Sequence, residues 1–240
     1  MIRVRGVSKH FGRRSVLQGL EADIREGRVT GLVGPNGAGK TTLLKLLLGL
    51  ATPETGTIAI GCHLLDGTPG YRSSIGYMPQ IARFPAHLSG RDLLRTLVAL
   101  RGGNIEPDLS LADAFALADA FDRPLGMLSG GTRQKINAVL AFAFRPDLLV
   151  LDEPTAGLDP VAARVLKDRV LADRTAGRTV LITSHVLPEL EELADDVLFL
   201  ADGVARWQGG VRELKANAGQ PTLERAIACL LSDRALLAVA

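Results

Sequence analysis

The sequence predicts an α/β protein with a mostly parallel sheet core, an N-terminal antiparallel β subdomain and an inserted helical subdomain. Three observations carry this. The runs Val29–Val33, 148–151 and Thr179–Thr183 are apolar and nearly uninterrupted, the pattern of strands buried on both faces, and helical stretches alternate with them. The first thirty residues instead alternate loosely between apolar and polar, the pattern of strands with one wet face. From about 81 to 145 the apolar spacing is helical and no strand signal interrupts it.

Taken in order, Ile2-Arg3-Val4-Arg5 alternates, Phe11-Gly12-Arg13-Arg14 reads as a turn, and 16–24 alternates before Glu26-Gly27. After strand 29–33 comes a glycine-rich stretch and then Leu43-Leu44-Lys45-Leu46-Leu47-Leu48, a helix. Thr52-Pro53-Glu54-Thr55-Gly56 is a turn, 57–60 a short strand, and 74–78 another strand ending at Pro79-Gln80. Leu93, Leu94, Leu97, Val98 and Leu100 mark one helix, and Leu111, Ala114, Phe115, Leu117 and Ala118 a second. A third follows Ser129-Gly130-Gly131 and carries Ile136, Val139, Leu140 and Ala143. Helices 161–175 and 187–194 flank strand 179–183, and Asp202-Gly203 between two apolar runs is a hairpin signal. Thr222 caps a final helix with Leu223, Ile227, Leu230 and Leu231 on one face. Without repeats or linkers, 1–240 reads as one domain, the helical subdomain of 81–145 inserted in its core.

Hydrophobic residues make up 47% and charged residues 22%, ordinary for a globular protein, and a net charge of +2 argues against a nucleic-acid partner. Cys62 and Cys229 form no metal-spaced pair, which suits a reducing, cytoplasmic setting. No secretory signal is read at the N-terminus, and no apolar stretch approaches the ~20 residues that span a bilayer.

The glycine-rich stretch is Gly34-Pro35-Asn36-Gly37-Ala38-Gly39-Lys40-Thr41-Thr42, set between a strand and a helix. It matches G-x-x-x-x-G-K-[ST], the phosphate-binding P-loop. Its glycines let the backbone wrap a phosphate chain, and the loop amides and helix N-terminus aim positive partial charge at the anion. Lys40 is placed to reach the β- and γ-phosphates and the Thr41 hydroxyl to bind Mg²⁺. The chain is therefore expected to bind a nucleoside triphosphate. Strand 148–151 runs into Asp152-Glu153: Asp152 suits Mg²⁺, and Glu153 is placed to take a proton from an attacking water.

Leu128-Ser129-Gly130-Gly131-Thr132-Arg133-Gln134-Lys135 opens a second helix with a hydroxyl and two glycines, a second anion-binding terminus. One triphosphate needs one such terminus unless two copies share their sites. With this octet the chain resembles the ATP-binding cassette (ABC) ATPases, over essentially residues 1–210. The resemblance implies further roles. Gln80 stands at the family's Q-loop glutamine, which meets Mg²⁺ and water; alone it reads as a surface residue. Asp159 in Ala156-Gly157-Leu158-Asp159 matches the D-loop, although before Pro160 it also reads as a helix N-cap. His185 matches the switch histidine at the γ-phosphate, and Phe11 the aromatic that stacks on adenine. Phe11 stands where Tyr is commonest, Thr132 where Gln is usual and Lys135 where Arg is usual.

The resemblance implies a head-to-tail pair of cassettes, most simply a homodimer. ATP would lie on Gly34, Pro35, Asn36, Gly37, Ala38, Gly39, Lys40, Thr41 and Thr42 of one copy and under Ser129, Gly130 and Gly131 of the other. It also implies catalysis by Glu153, His185, Lys40 and Gln80, with Mg²⁺ at Thr41, Gln80 and Asp152. Such a cassette drives a transmembrane permease from the inner face of the membrane. Residues 77–85 and 129–135 further resemble the ATPases of copper-processing systems that mature nitrous oxide reductase, which partner a permease and a periplasmic protein. The alternatives are an exporter of drugs, lipids or polysaccharides, and a soluble ABC ATPase acting on nucleic acid or ribosomes.

Overall fold

The computed structural model describes residues 1–237. It divides into two compact units, 1–67 with the chain from 183 onward, and 68–182.

In the first unit β1 (Ile2–Phe11) pairs antiparallel with both β2 (Arg14–Ile24) and β4 (Thr55–Ile60), and β4 carries the two-residue β5 (His63–Leu64) on its outer edge. β1 runs well past the alternating residues 2–5. The alternation breaks because Gly6 takes φ 61° at a bulge, where the register slips between Val4 and Val7. The Gly6 amide donates to Glu21 Oε1 at 2.7 Å, so the bulge is tied to β2. Ile2, Val4, Val7, Leu17, Leu20 and Ile24 turn to the core face and are at most 2% exposed. β3 (Val29–Val33) is buried throughout and leads through the glycine-rich stretch into α1 (Lys40–Leu47).

In the second unit β6 (Ile75–Met78) lies parallel to β7 (Leu148–Asp152), and β7 lies beside β8 (Thr179–Thr183). Residues 81–145 hold α2 (Gly90–Leu100), α3 (Ser110–Ala114) and α4 (Gly130–Phe142), with no named strand. Ser89 opens α2 through a capping box, its Oγ accepting from the Asp92 amide while Asp92 accepts from the Ser89 amide. α3 stops four residues short of the expected Ala118. Ala116 takes φ 52°, and the Leu117 amide donates back to Ala112 O at 3.0 Å, the bond that ends a helix on a left-handed residue. Phe115 and Leu117 are buried all the same, so the apolar spacing is real and reports a core, not a longer helix. α5 (Pro160–Thr175) follows β7, with Asp159 as N-cap and Pro160 in its first turn.

The chain returns to the first unit with α6 (Leu187–Leu193), β9 (Asp196–Ala201) and β10 (Val204–Gly210). β9 lies parallel to β3, and β9 and β10 form the expected hairpin, Asp202 and Gly203 both taking positive φ (50° and 75°). α7 (Val211–Asn217) has no forecast in the sequence, because its short apolar pattern sits behind Gly209-Gly210. α8 (Leu223–Leu237) is opened by Thr222, whose Oγ1 accepts from the Arg225 amide. The observed class is thus α/β, mostly parallel strands with an antiparallel N-terminal sheet.

Candidate functional site

The first unit carries the glycine-rich loop expected to hold phosphate. Gly39 precedes α1 at φ 107°, and a Cβ there would stand 2.6 Å from Leu17 Cδ2 and 3.0 Å from Val16 O, so β2 backs the loop too closely for a side chain. Among the described residues no side chain caps α1. Within the loop the Ala38 amide donates to Pro35 O at 3.2 Å and is spent on the turn, and the Ala38 side chain is buried. The amides of Asn36, Gly37 and Gly39 make no such backbone bond. Lys40 Nζ donates to Gly34 O at 2.6 Å and to Pro35 O at 3.2 Å, which holds the ammonium across the loop. Thr41 is exposed and Thr42 buried, so of the two hydroxyls that of Thr41 is open to a ligand.

Phe11 ends β1 with 52% of its surface exposed, a large exposed aromatic without a core to fill. Lys9 Nζ lies 5.6 Å from the centre of its ring, a cation–π contact. Lys9 itself is tied to Glu54 at 3.5 Å, and the His10 ring nitrogen and amide also bond Glu54. His185 lies just past the end of β8 and is exposed.

The second unit carries the carboxylates. Leu148, Leu149, Val150 and Leu151 are fully buried, and Glu153 just beyond them is 9% exposed at φ 50°. A non-glycine residue there costs on the order of 1–3 kcal/mol of backbone strain, which the surrounding fold must hold. β6 and β7 are in register with Met78 opposite Leu151, so Gln80 and Glu153, each two residues further on, leave the same sheet edge. Ligands in parallel sheets bind at that edge. The Tyr77 phenol is pushed above its usual range, first by burial and then by the Asp152 charge. The Gln80 side chain is exposed, and the preceding Pro79 carbonyl is held by Asn137 Nδ2 at 2.9 Å.

Ser129 caps α4, its Oγ accepting from the Thr132 amide at 3.1 Å and lying 2.8 Å from Thr132 Oγ1. Gly130 and Gly131 begin the helix, Gly130 with open space where a Cβ would go. A Cβ on Gly131 would come within 3.1 Å of Gly157 O, so the glycine-rich helix start lies against the turn before α5. Asp159 caps α5 by accepting from the Ala162 amide at 2.9 Å, and Lys135 Nζ stands 2.9 Å from its other oxygen. The two bonds, the amide first, hold the Asp159 carboxyl below the usual range.

Sequence reasoning registered Lys135 only as a departure from Arg and did not pair it with Asp159. Asn137, which fixes the Pro79 carbonyl, and Lys9, on the Phe11 ring, also went unread. The two-residue spacing of Lys9 and Phe11 on one strand was the available signal for the second.

Residues 17–156 match the ABC transporter family. The Nod factor export ATP-binding protein I of Burkholderia orbicola (strain AU 1054) is 34% identical over 95% of this chain and 74% of its own length. The daunorubicin/doxorubicin resistance ATP-binding protein DrrA of Streptomyces peucetius is 35% identical over 92% of this chain and 69% of its own. Among solved structures, one described as an ATP binding subunit of an ABC transporter superposes with a TM-score of 0.89 at 27% identity, covering 96% of this chain and 99% of that one. The chain belongs to the ABC transporter family, as one of its ATP-binding, ATP-hydrolysing cassettes.

Proposed function

We propose that this ATPase powers an exporter, working as a head-to-tail pair of copies docked on transmembrane permease subunits at the inner face of the membrane. The observation that supports the pairing is the presence of two glycine-opened helix starts, Gly39 before α1 and Ser129-Gly130-Gly131 at α4. Two copies facing each other put one of each kind on every triphosphate. Export is favoured by the relatives, proteins of Nod factor export and of drug resistance. Among the described residues no helix is long and apolar enough to cross a membrane.

In this reading Gly34 to Thr42 hold the phosphates, with Lys40 on the β- and γ-oxygens and Phe11 under the base. Glu153 accepts the proton of the attacking water; Lys40 and His185 stabilise the charge that gathers on the phosphoryl oxygens. Gln80 orients the water, while Ser129, Gly130 and Gly131 of the second copy close over the phosphates and Asp159 faces that copy. The oxygen donors Thr41, Gln80 and Asp152 fit Mg²⁺, a hard cation that neutralises phosphate charge when bound.

The copper-processing likeness of residues 77–85 and 129–135 finds no counterpart in the relatives described above, and neither does a periplasmic partner. Among the described residues no group of three His, Cys, Asp or Glu side chains could hold a metal.

Hydrolysis by Glu153→Gln tests the core of the reading. Turnover is expected to fall about 10²-fold or more with ATP binding retained and a stable ATP-dependent dimer formed. Near-normal turnover removes Glu153 from this role. Co-expression with a candidate exporter permease, followed by transport assays in vesicles, tests the direction; ATP-driven uptake into cells overturns export.

A further inference from the structure

Arg14 is an exposed arginine at the start of β2 that no role above employs. It is the direct cross-strand partner of Phe11, with only Gly12 and Arg13 between them. Gly12 takes φ 60° at the first position of that two-residue loop, the sign a tight hairpin turn requires. Directly opposed residues of an antiparallel pair put their side chains on one face, so the hairpin presents the Phe11 ring and the Arg14 guanidinium together. From there Arg14 reaches the phosphate loop: a Cβ built on Gly37 would stand 2.9 Å from Arg14 Nη2. Among the described residues no carboxylate forms an ion pair with Arg14, although Arg5, Arg25, Arg28 and Arg91 are all paired. A cation held at the rim of an anion-binding loop, without an anion of its own, lacks its partner.

We propose that Arg14 is a nucleotide-binding residue whose guanidinium takes phosphate oxygens of the bound nucleotide. It approaches from the hairpin that carries Phe11, whereas Lys40 holds the loop from the helix side. Arg14 therefore serves the phosphates nearest the nucleoside, and it binds ADP as well as ATP. The fork of guanidinium donors suits two phosphate oxygens at once, a geometry that a lysine ammonium does not reproduce. The inference rests on the nucleotide reading of the loop and adds a residue to it.

Calorimetric binding of ADP and of a non-hydrolysable ATP analogue tests it, on the whole chain and the variants Arg14→Ala, Arg14→Lys and Arg13→Ala. For Arg14→Ala, Kd is expected to rise about 10-fold for both nucleotides, with more of the loss at low salt. Its melting temperature without nucleotide should not change, and turnover at saturating ATP should stay within about two-fold, so that the loss sits in KM. Arg14→Lys should recover part of the affinity, and Arg13→Ala should bind like the parent. A Kd for Arg14→Ala within two-fold of the parent overturns the proposal, as does an equal loss in Arg13→Ala, which would report only diffuse positive charge. Failure of the unaltered protein to bind either nucleotide would instead overturn the loop reading itself, so the two failures are distinct.

Discussion

Lys135 Nζ stands 2.9 Å from Asp159 Oδ2, joining the helix that opens at Ser129 to the cap of the helix that follows Glu153. Both ends of this bond lie beside residues to which the proposed mechanism gives work. Lys135 is 22% and Asp159 52% exposed, so solvent screens the pair and it contributes little as a stability element. Its consequence is positional. Replacing Lys135 with Met should lower the melting temperature by no more than about 2 °C yet reduce turnover roughly five-fold. Lys135→Arg should restore turnover, and steady-state hydrolysis beside a thermal melt separates the two effects.

The phosphate loop tolerates no side chain at Gly39. The residue holds φ 107°, and Leu17 and Val16 occupy the space a Cβ would need. Gly39→Ala is expected to weaken ATP binding by more than about 10-fold through loop displacement of 1–3 kcal/mol in strain. Calorimetry at constant ionic strength checks it, and unchanged affinity would show that the loop shifts freely.

Phe11 carries Lys9 5.6 Å from its ring centre and is 52% exposed. Phe11→Ala should raise the Kd for ATP about 10-fold, because a base–aromatic stack is worth about 1–3 kcal/mol. Phe11→Tyr should keep the affinity, since the stacking surface survives.

Acid stability depends on Asp108. Burial opposes its charge, but the Ser110 hydroxyl and amide, Arg169 and Arg145 outweigh that and hold the carboxyl well below its usual range. A carboxyl depressed in the folded state adds stability above its unfolded pKa of about 4, and loses it as pH falls toward the folded value. Asp108→Asn should therefore cost about 2 kcal/mol at pH 7, and the gap to the parent should shrink as pH drops below about 4. Urea melts at pH 7 and at pH 3 test the sign; a gap that widens in acid would refute it.

The legible parts of the fold were those whose cause lies within a few residues. The Asp202-Gly203 hairpin was readable because a type I′ two-residue turn needs positive φ at both positions, and these two residues supply it. The Ser129 and Asp159 caps were readable for the same local reason, each side chain accepting from an amide three residues on. Periodicity failed where apolar spacing outlived the helix. Leu117 is buried beyond the end of α3, and its position followed from the turn at Ala116. The far end of β1 was hidden by the bulge at Gly6, which resets the alternation a strand reading depends on.

By itself the sequence determined the glycine-rich loop before α1, the carboxylates ending β7 and the glycine-opened helix at Ser129, because each is a short run whose spacing dictates its own backbone. It could not place Arg14 at Gly37, Lys135 at Asp159, or Arg169 at Asp108, the last 3.1 Å apart across 61 residues of chain. Those pairings cost loop-closure entropy that no local pattern encodes, and they exist only once strands and helices pack. Tertiary structure alone decided which of the many exposed charges found a partner, and which, like Arg14, was left facing the loop.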